Sequence, residues 1–405
     1  MHAGRNVLRY DIFKRKVFKL TGQQTGASTA VEYDKNQGAR PEDEEHPSIK
    51  DSSYRKGRPT MTRIYAALEQ ALAVAQERHG VWTVDLQLVG SQPECIALDT
   101  LRPQQVYCGT FDQGLWCSSD AGASWEPVGV GITHQHVMSV AVSIHERTDG
   151  YGTVYAGTEP SALYRSQDRG ASWRDLATLR ELPSAPHWSF PPRPWTSHVR
   201  WITVDSLTPG RIFAAIEAGA LVRSLDGGDH WEDRRPDGPF DTHTLRMHRL
   251  APDRLYSAAG DGFMRPGNGF VQSNDGGESW SRPDDGLSLH YLWSVAVDPA
   301  DPDTLVISAA PGPNQAHNPA NAQSAIFRRS GAGPFQLVTE GLPAQRGTMA
   351  AVLTSNEAEP GVFYAANNHG IFRSPNAGVI WEELAIPWPD GIRLGHIDAL
   401  VVVPD

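Results

Sequence analysis

An octapeptide of the form Ser-x-Asp-x-Gly-x-x-Trp occurs four times in this chain, at Ser118–Trp125, Ser166–Trp173, Ser224–Trp231 and Ser273–Trp280. A fifth copy, Ser374–Trp381, differs in carrying Asn376 in place of the aspartate. Successive tryptophans lie 48, 58, 49 and 101 residues apart, the last interval being two periods with a degenerate copy between them. A period of roughly 50 residues means a repeat architecture, because a unit that short cannot bury its own apolar face and must stack on its neighbours.

Each repeat has the same local grammar. In Val199–Trp231, an alternating apolar run (199–204) precedes a Pro/Gly turn (207–210), and a second run follows (212–216). After the turn Glu217–Gly219 comes a third run (220–224), and then the octapeptide. Period-2 runs of this length divided by turn residues read as antiparallel strands, here four per repeat. The octapeptide is a hairpin turn: Asp226 accepts from turn amides, Gly227 and Gly228 supply positive φ, and Trp231 opens the next strand and covers the turn. Asp120, Asp168, Asp226, Asp275 and Asn376 are therefore read as structural.

Counting units by the second strand gives seven, at 64–67, 106–109, 154–157, 212–215, 255–258, 305–308 and 362–365. The first unit lacks the strand that precedes this one elsewhere, and the chain ends on a spare strand of that type, His396–Val403. Pairing the spare strand into the first unit closes a ring and removes two exposed sheet edges. The expectation is an all-β, seven-bladed β-propeller of four-stranded antiparallel blades.

The octapeptides are those of the Asp-box, or bacterial neuraminidase, repeat, so residues 61–405 resemble the Asp-box propeller superfamily. That superfamily includes sialidases, two-propeller xyloglucanases, sortilin-type receptors and a photosystem II assembly factor. The resemblance speaks to the fold; in family enzymes the box lies on the face away from the active site, so it does not assign chemistry. Family sialidases carry an Arg-Ile-Pro-type element, an arginine triad and a Tyr–Glu pair. Here the nearest match, Arg63-Ile64-Tyr65, lacks the proline, and Arg200 is the only arginine of the inner ring, so sialidase activity is not expected. Xyloglucanases place their catalytic acids between two propellers, and this chain encodes one.

Composition divides the chain at residue 61. All six lysines lie before it and all twelve tryptophans after it. Twelve basic and eight acidic side chains precede residue 61, so of the net −11 the remainder carries −15. The polar segment 1–60 reads as a disordered leader, with Met61 as an alternative start, or as a native flexible arm. It has no secretory apolar core, and no run of about 18 apolar residues exists to span a membrane. Cys95, Cys108 and Cys117 are odd in number and without Cys-x-x-Cys spacing, which suits packed, reduced thiols in a cytoplasmic protein. A lysine-free propeller of charge −15 is a poor partner for phosphate backbones, which sets nucleic acid aside.

In a propeller, the loops leading into the inner strands and the turns between second and third strands share one face. Aligning the repeats on the inner strand brings into register Gln92, His136, His198, Asp241, Tyr291, Gly347 and His396. Two residues further in stand Glu94, Met138, Arg200, His243, Trp293, Met349 and Asp398. Neighbouring loops add Glu159, Glu217, Asp261, His290 and His369. Such a rim reads either as a polar funnel for a ligand or as an ordinary wet channel mouth. Asp241, His243 and Asp398 are the acid/base candidates. His136, His198, Arg200, Glu94, Glu217, Asp261, His290, Trp293, His317, His369 and His396 are the ligand-contact candidates, with Arg200 suited to an anionic group. No cofactor is required by the sequence. Imidazole and carboxylate would suit a divalent metal such as zinc or manganese, with His198 and His243 as candidate ligands, although no compact His-x-x-x-His spacing supports one. Trp188, Phe190 and Trp195, interleaved with prolines in 182–197, form either an aromatic lip or a loop folded onto the propeller; Pro311–Asn321 is placed to cap the funnel.

The functional expectation is recognition of a small polar or carbohydrate-like ligand, or of a protein loop, at this mouth. The alternatives are a glycoside hydrolase or lyase using the same mouth, and a non-catalytic assembly scaffold.

Overall fold

Burial falls from the middle of each repeat outward, as expected for sheets stacked face to face around an axis. The second strands 212–216 and 363–367 are buried at every position, whereas the outermost strand Glu126–Pro127 is exposed throughout. The computed structural model describes residues 61–392 and 394–404, so the expectations for residues 1–60 lie outside the described residues. Seven separate antiparallel sheets form a seven-bladed β-propeller. The inner strands are Ile397–Pro404 (blade 1), Pro93–Asp99 (blade 2), His136–Thr148 (blade 3), Val199–Val204 (blade 4), Thr242–His248 (blade 5), Tyr291–Asp298 (blade 6) and Val352–Ser355 (blade 7).

Closure occurs where the sequence places it. Strand Ile397–Pro404 lies antiparallel beside Met61–Leu68, with Thr62 opposite Pro404 and Ala67 opposite Ala399. Five blades have four strands. In blades 4 and 5 the fourth strand shrinks to single bridges, Arg223 to Glu232 and Gln272 to Ser281. Pro236 and Pro283 follow soon after and lack the N–H that would extend a ladder.

Six of the seven second strands carry an aromatic at the same register: Tyr65, Tyr107, Tyr155, Phe213, Tyr256 and Tyr364, each at most 2% exposed. Their rings fill the space between blades while hydroxyls find acceptors at the rim, as in Tyr65 to Ala121 O (2.8 Å) and Tyr256 to Pro302 O (2.6 Å). Short polar side chains also join neighbouring inner strands. Ser139 Oγ donates to Val199 O at 2.7 Å, and Thr244 Oγ1 to Trp293 O at 3.1 Å. The three cysteines are free and buried on successive strands of blade 2.

The octapeptide turns repeat one hydrogen-bond pattern. In the first, Ser118 Oγ donates to Asp120 Oδ1 (2.8 Å) and accepts from Gly122 N–H (2.7 Å). The Ser124 N–H and hydroxyl both donate to the same carboxylate, at 2.9 and 2.6 Å. The Ser-to-Asp bond recurs at Asp168, Asp226 and Asp275, and to the Asn376 carbonyl at 3.0 Å. The hydroxyl of Ser124, its amide and the hydroxyl of Ser118 hold the Asp120 carboxyl down at about 2; the Ser279 hydroxyl and amide do the same for Asp275. A carboxyl depressed from 3.8 adds stability that is complete above that pH and is lost as the pH falls towards 2. The double variant Ser124→Ala/Ser279→Ala is therefore expected to begin acid unfolding at higher pH than the parent. Denaturant unfolding at several pH values checks this: the variant is expected to be less stable than the parent at pH 7, with the difference shrinking as the pH falls towards 2.

Candidate functional site

A cavity of about 170 Å³ opens on the face opposite the octapeptide turns. Every lining segment is a loop leading into an inner strand, the start of such a strand, or a turn between second and third strands. Blade 1 contributes Glu69, His396 and Asp398, and blade 2 contributes Gln92, Pro93 and Glu94. Met138 comes from blade 3, Phe190, Pro192 and Arg193 from the loop before blade 4, and His198, Arg200 and Glu217 from blade 4 itself. Blade 6 supplies Trp293 and the insertion residues Pro313, Asn314, His317 and Asn318, the first three on the one-turn helix Pro313–His317.

His198 immediately precedes strand Val199–Val204, which carries Arg200, and both side chains line the cavity. His198 Nε2 is 2.8 Å from Glu217 Oε2, and its Nδ1 is 3.5 Å from Glu159 Oε2. Glu159 is fixed in turn by a two-pronged pair with Arg193, at 2.6 and 2.5 Å. Arg200 lies over the Trp293 ring at 4.6 Å, with its Nε 3.8 Å from Glu217. It is only 6% exposed, yet its guanidinium makes no hydrogen bond to any described residue, and its Nε is buried without a partner. Burial pushes the Glu217 carboxyl up, but the imidazoles of His198 and His243 and the Arg200 guanidinium outweigh it and hold the group ionised.

A file of polar contacts runs through the other wall. Tyr291 Oη lies 3.1 Å from His317 Nε2 and His317 Nδ1 2.7 Å from His396 Nε2, both hydrogen bonds, and His396 Nδ1 lies at an ion-pair distance of 3.1 Å from Asp398 Oδ1. With both imidazoles neutral, the two hydrogen bonds can point the same way, from the tyrosine towards His396. Burial and the neighbouring His396 push His317 well below the usual imidazole range, which keeps it neutral at pH 7.

Behind Glu217 lies a second cluster. His243 Nε2 is 4.0 Å from Glu217 Oε1 and 3.7 Å from Asp241 Oδ2. Burial, with Glu217 and Asp261 close by, raises the Asp241 carboxyl well above the ordinary range, so two adjacent carboxyls are driven apart. Gly260 packs so closely here that a Cβ would overlap Asp241 Oδ2 and crowd the His243 ring.

Several of the residues singled out in the sequence lie elsewhere. His136 stacks on Phe111 at 4.2 Å. Asp261 Oδ2 accepts the backbone N–H groups of Phe240 and Asp241 (3.1 and 2.9 Å), which makes it a loop anchor. His290 Nδ1 is 3.8 Å from Asp284, and His369 Nε2 is 3.1 Å from Gly347 O. Of the proposed aromatic lip, only Phe190 reaches the cavity, where it meets His198 edge-on at 4.7 Å. Trp188 packs on the blade 4 core and Trp195 is 74% exposed. The sequence reading missed Glu69 and Arg193. Glu69 occupies the same second-to-third-strand turn as Glu159 and Glu217, so the repeat alignment contained it. Arg193 sits in an insertion without a counterpart in other blades.

No protein-family model and no curated protein matches the chain. Among solved structures it is similar to an ancestral GH74 enzyme (TM-score 0.57, 16% identity, 82% of this chain and 41% of that one). It is similar also to the Niastella koreensis GH74 enzyme (0.58, 16%, 82% and 52%) and to YCF48 bound to D1 peptide (0.51, 14%, 81% and 88%). What these share with the chain is the propeller fold. The chain spans about half or less of the GH74 structures it matches. Among the described residues no helix is long and apolar enough to cross a membrane.

Proposed function

We propose that this protein is an Asp-box propeller that binds a small, carbohydrate-like ligand bearing an anionic group in the cavity at its mouth. The observation that carries this reading is Arg200, which lines the cavity, is nearly buried and has no hydrogen-bond acceptor among the described residues. Arg193, the other arginine lining the cavity among the described residues, is already committed to Glu159. A buried donor without an acceptor costs about 1–3 kcal/mol, which a ligand carboxylate would recover. Phe190, Pro192, Pro313 and Met138 offer apolar surface for a sugar's C–H face, while Gln92, Asn314 and Asn318 match hydroxyl groups. The peptide held by the YCF48 neighbour and the GH74 enzymes are compatible with this reading without choosing the ligand.

The test is a thermal-shift and calorimetric comparison of neutral sugars with their uronic acids. Uronates are expected to bind more tightly, and Arg200→Met to weaken them about ten- to a hundredfold, the range for a charge-assisted contact. Equal affinity for neutral and acidic sugars, or no effect of Arg200→Met, refutes the reading.

A second reading, a lyase or hydrolase, is favoured by the Tyr291–His317–His396–Asp398 file, which could carry a proton to or from a ligand in the cavity. Turnover of an acidic oligosaccharide that is lost in His396→Ala at unchanged uronate affinity would select it.

A further inference from the structure

The cluster behind Glu217 gathers one imidazole and two carboxyl groups. Three side chains from two neighbouring blades, Glu217, Asp241 and His243, each point one ligand atom at the others, all within 4.8 Å. Each side chain is held by its other polar atom. His243 Nδ1 donates to Leu292 O at 2.6 Å, which fixes the tautomer whose Nε2 carries a lone pair. Asp241 Oδ1 accepts from Ala218 N–H at 2.8 Å, and Glu217 Oε2 is engaged by His198 Nε2 at 2.8 Å. The three inward-facing atoms, His243 Nε2, Asp241 Oδ2 and Glu217 Oε1, make no hydrogen bond to any described residue. His243 is 1% exposed and its Nε2 is buried without a partner. An unpartnered buried nitrogen between two carboxylate oxygens is unfavourable as a closing arrangement for a core, and it supplies what a cation needs.

We infer that Glu217, Asp241 and His243 bind one first-row divalent cation of the zinc or manganese class, leaving coordination positions open to water. One imidazole and two carboxylates are the donor set such ions accept, and three protein ligands are the number found where a site keeps an open position. Two sides measure 3.7 and 4.0 Å and the third lies within 4.8 Å, so the side chains must draw together for bonds of about 2.0–2.2 Å to a central ion. Gly260 belongs to the same construction, because any larger residue would push Asp241 Oδ2 out of the triangle. Glu217 is shared with the cavity, but Asp241 and His243 do not line it and Arg200 supplies no ligand atom, so variants at these other positions tell the two proposals apart.

The test uses the full chain, stripped of metal and titrated with zinc(II), manganese(II) and cobalt(II). One ion per chain is expected, with cobalt(II) giving the visible bands of a protein-bound centre. Glu217→Gln, Asp241→Asn and Gly260→Ala are each expected to weaken binding at least tenfold, and His198→Gln to do so through its hold on Glu217. Asp241→Asn and Gly260→Ala keep the test decisive if His243→Ala fails to fold. Absence of stoichiometric binding, or binding that persists unchanged in Asp241→Asn and Glu217→Gln, overturns the inference, the second outcome placing the ion elsewhere. Loss of metal in Asp241→Asn with uronate affinity retained, and the reverse in Arg200→Met, separates this site from the cavity.

Discussion

A chain ending at residue 395 is expected not to fold into a cooperative domain. The strand Ile397–Pro404 is the inner strand of blade 1, and it buries Ile397, Leu400 and Val402 towards the last blade and Val403 towards the second. Burial of four such side chains is worth about 6–10 kcal/mol, comparable to the whole stability of a typical domain. Its loss also leaves Met61–Leu68 as an apolar open edge, so aggregation should accompany the loss of near-ultraviolet circular dichroism. A permuted chain separates closure from mere truncation. With Pro404 joined to Thr62 by a short turn and new termini at the exposed Gly391, the closing strand becomes a hairpin partner and parental stability is expected. A truncated chain that melts like the parent would show that the ring does not depend on this seam.

Trp293→Ala carries the second-largest expected loss, about 3–5 kcal/mol in urea unfolding. The indole is 6% exposed, and four side chains of the two candidate sites rest on it: Arg200 at 4.6 Å, His243 at 4.8 Å, His317 at 4.3 Å and His396 at 5.6 Å. Removing it opens a void that none of these can fill without leaving its partner, so uronate binding should fall together with stability. Trp293→Phe keeps a ring at the centre and should recover most of the stability. A loss below about 1 kcal/mol in the alanine variant would mean that the cluster is loosely packed.

The sequence was most legible where physics repeats. The runs 199–204, 212–216 and 220–224 coincide with strands because alternation, turn residues and octapeptide all specify the same blade. Asp241 and His243 could be placed at the mouth end of one inner strand by register with the other repeats. That they meet Glu217 of the preceding blade is long-range geometry, which one blade's pattern does not contain. His136 shares a register with cavity residues, whereas His290 and His369 come from neighbouring loops. Each finds a nearby ring, carboxylate or carbonyl instead of the cavity. The insertion helix Pro313–His317 could be located by its prolines, but the pairing of His317 with His396 across 79 residues could not.

The seam that joins the last strand to the first has one more implication. That strand delivers His396 and Asp398, and the remaining groups arrive from blades made much earlier in the chain. During synthesis the mouth therefore stays chemically incomplete until the ring locks. A half-made or misassembled toroid lacks His396 and Asp398, so its mouth presents a different set of charges from that of the closed ring.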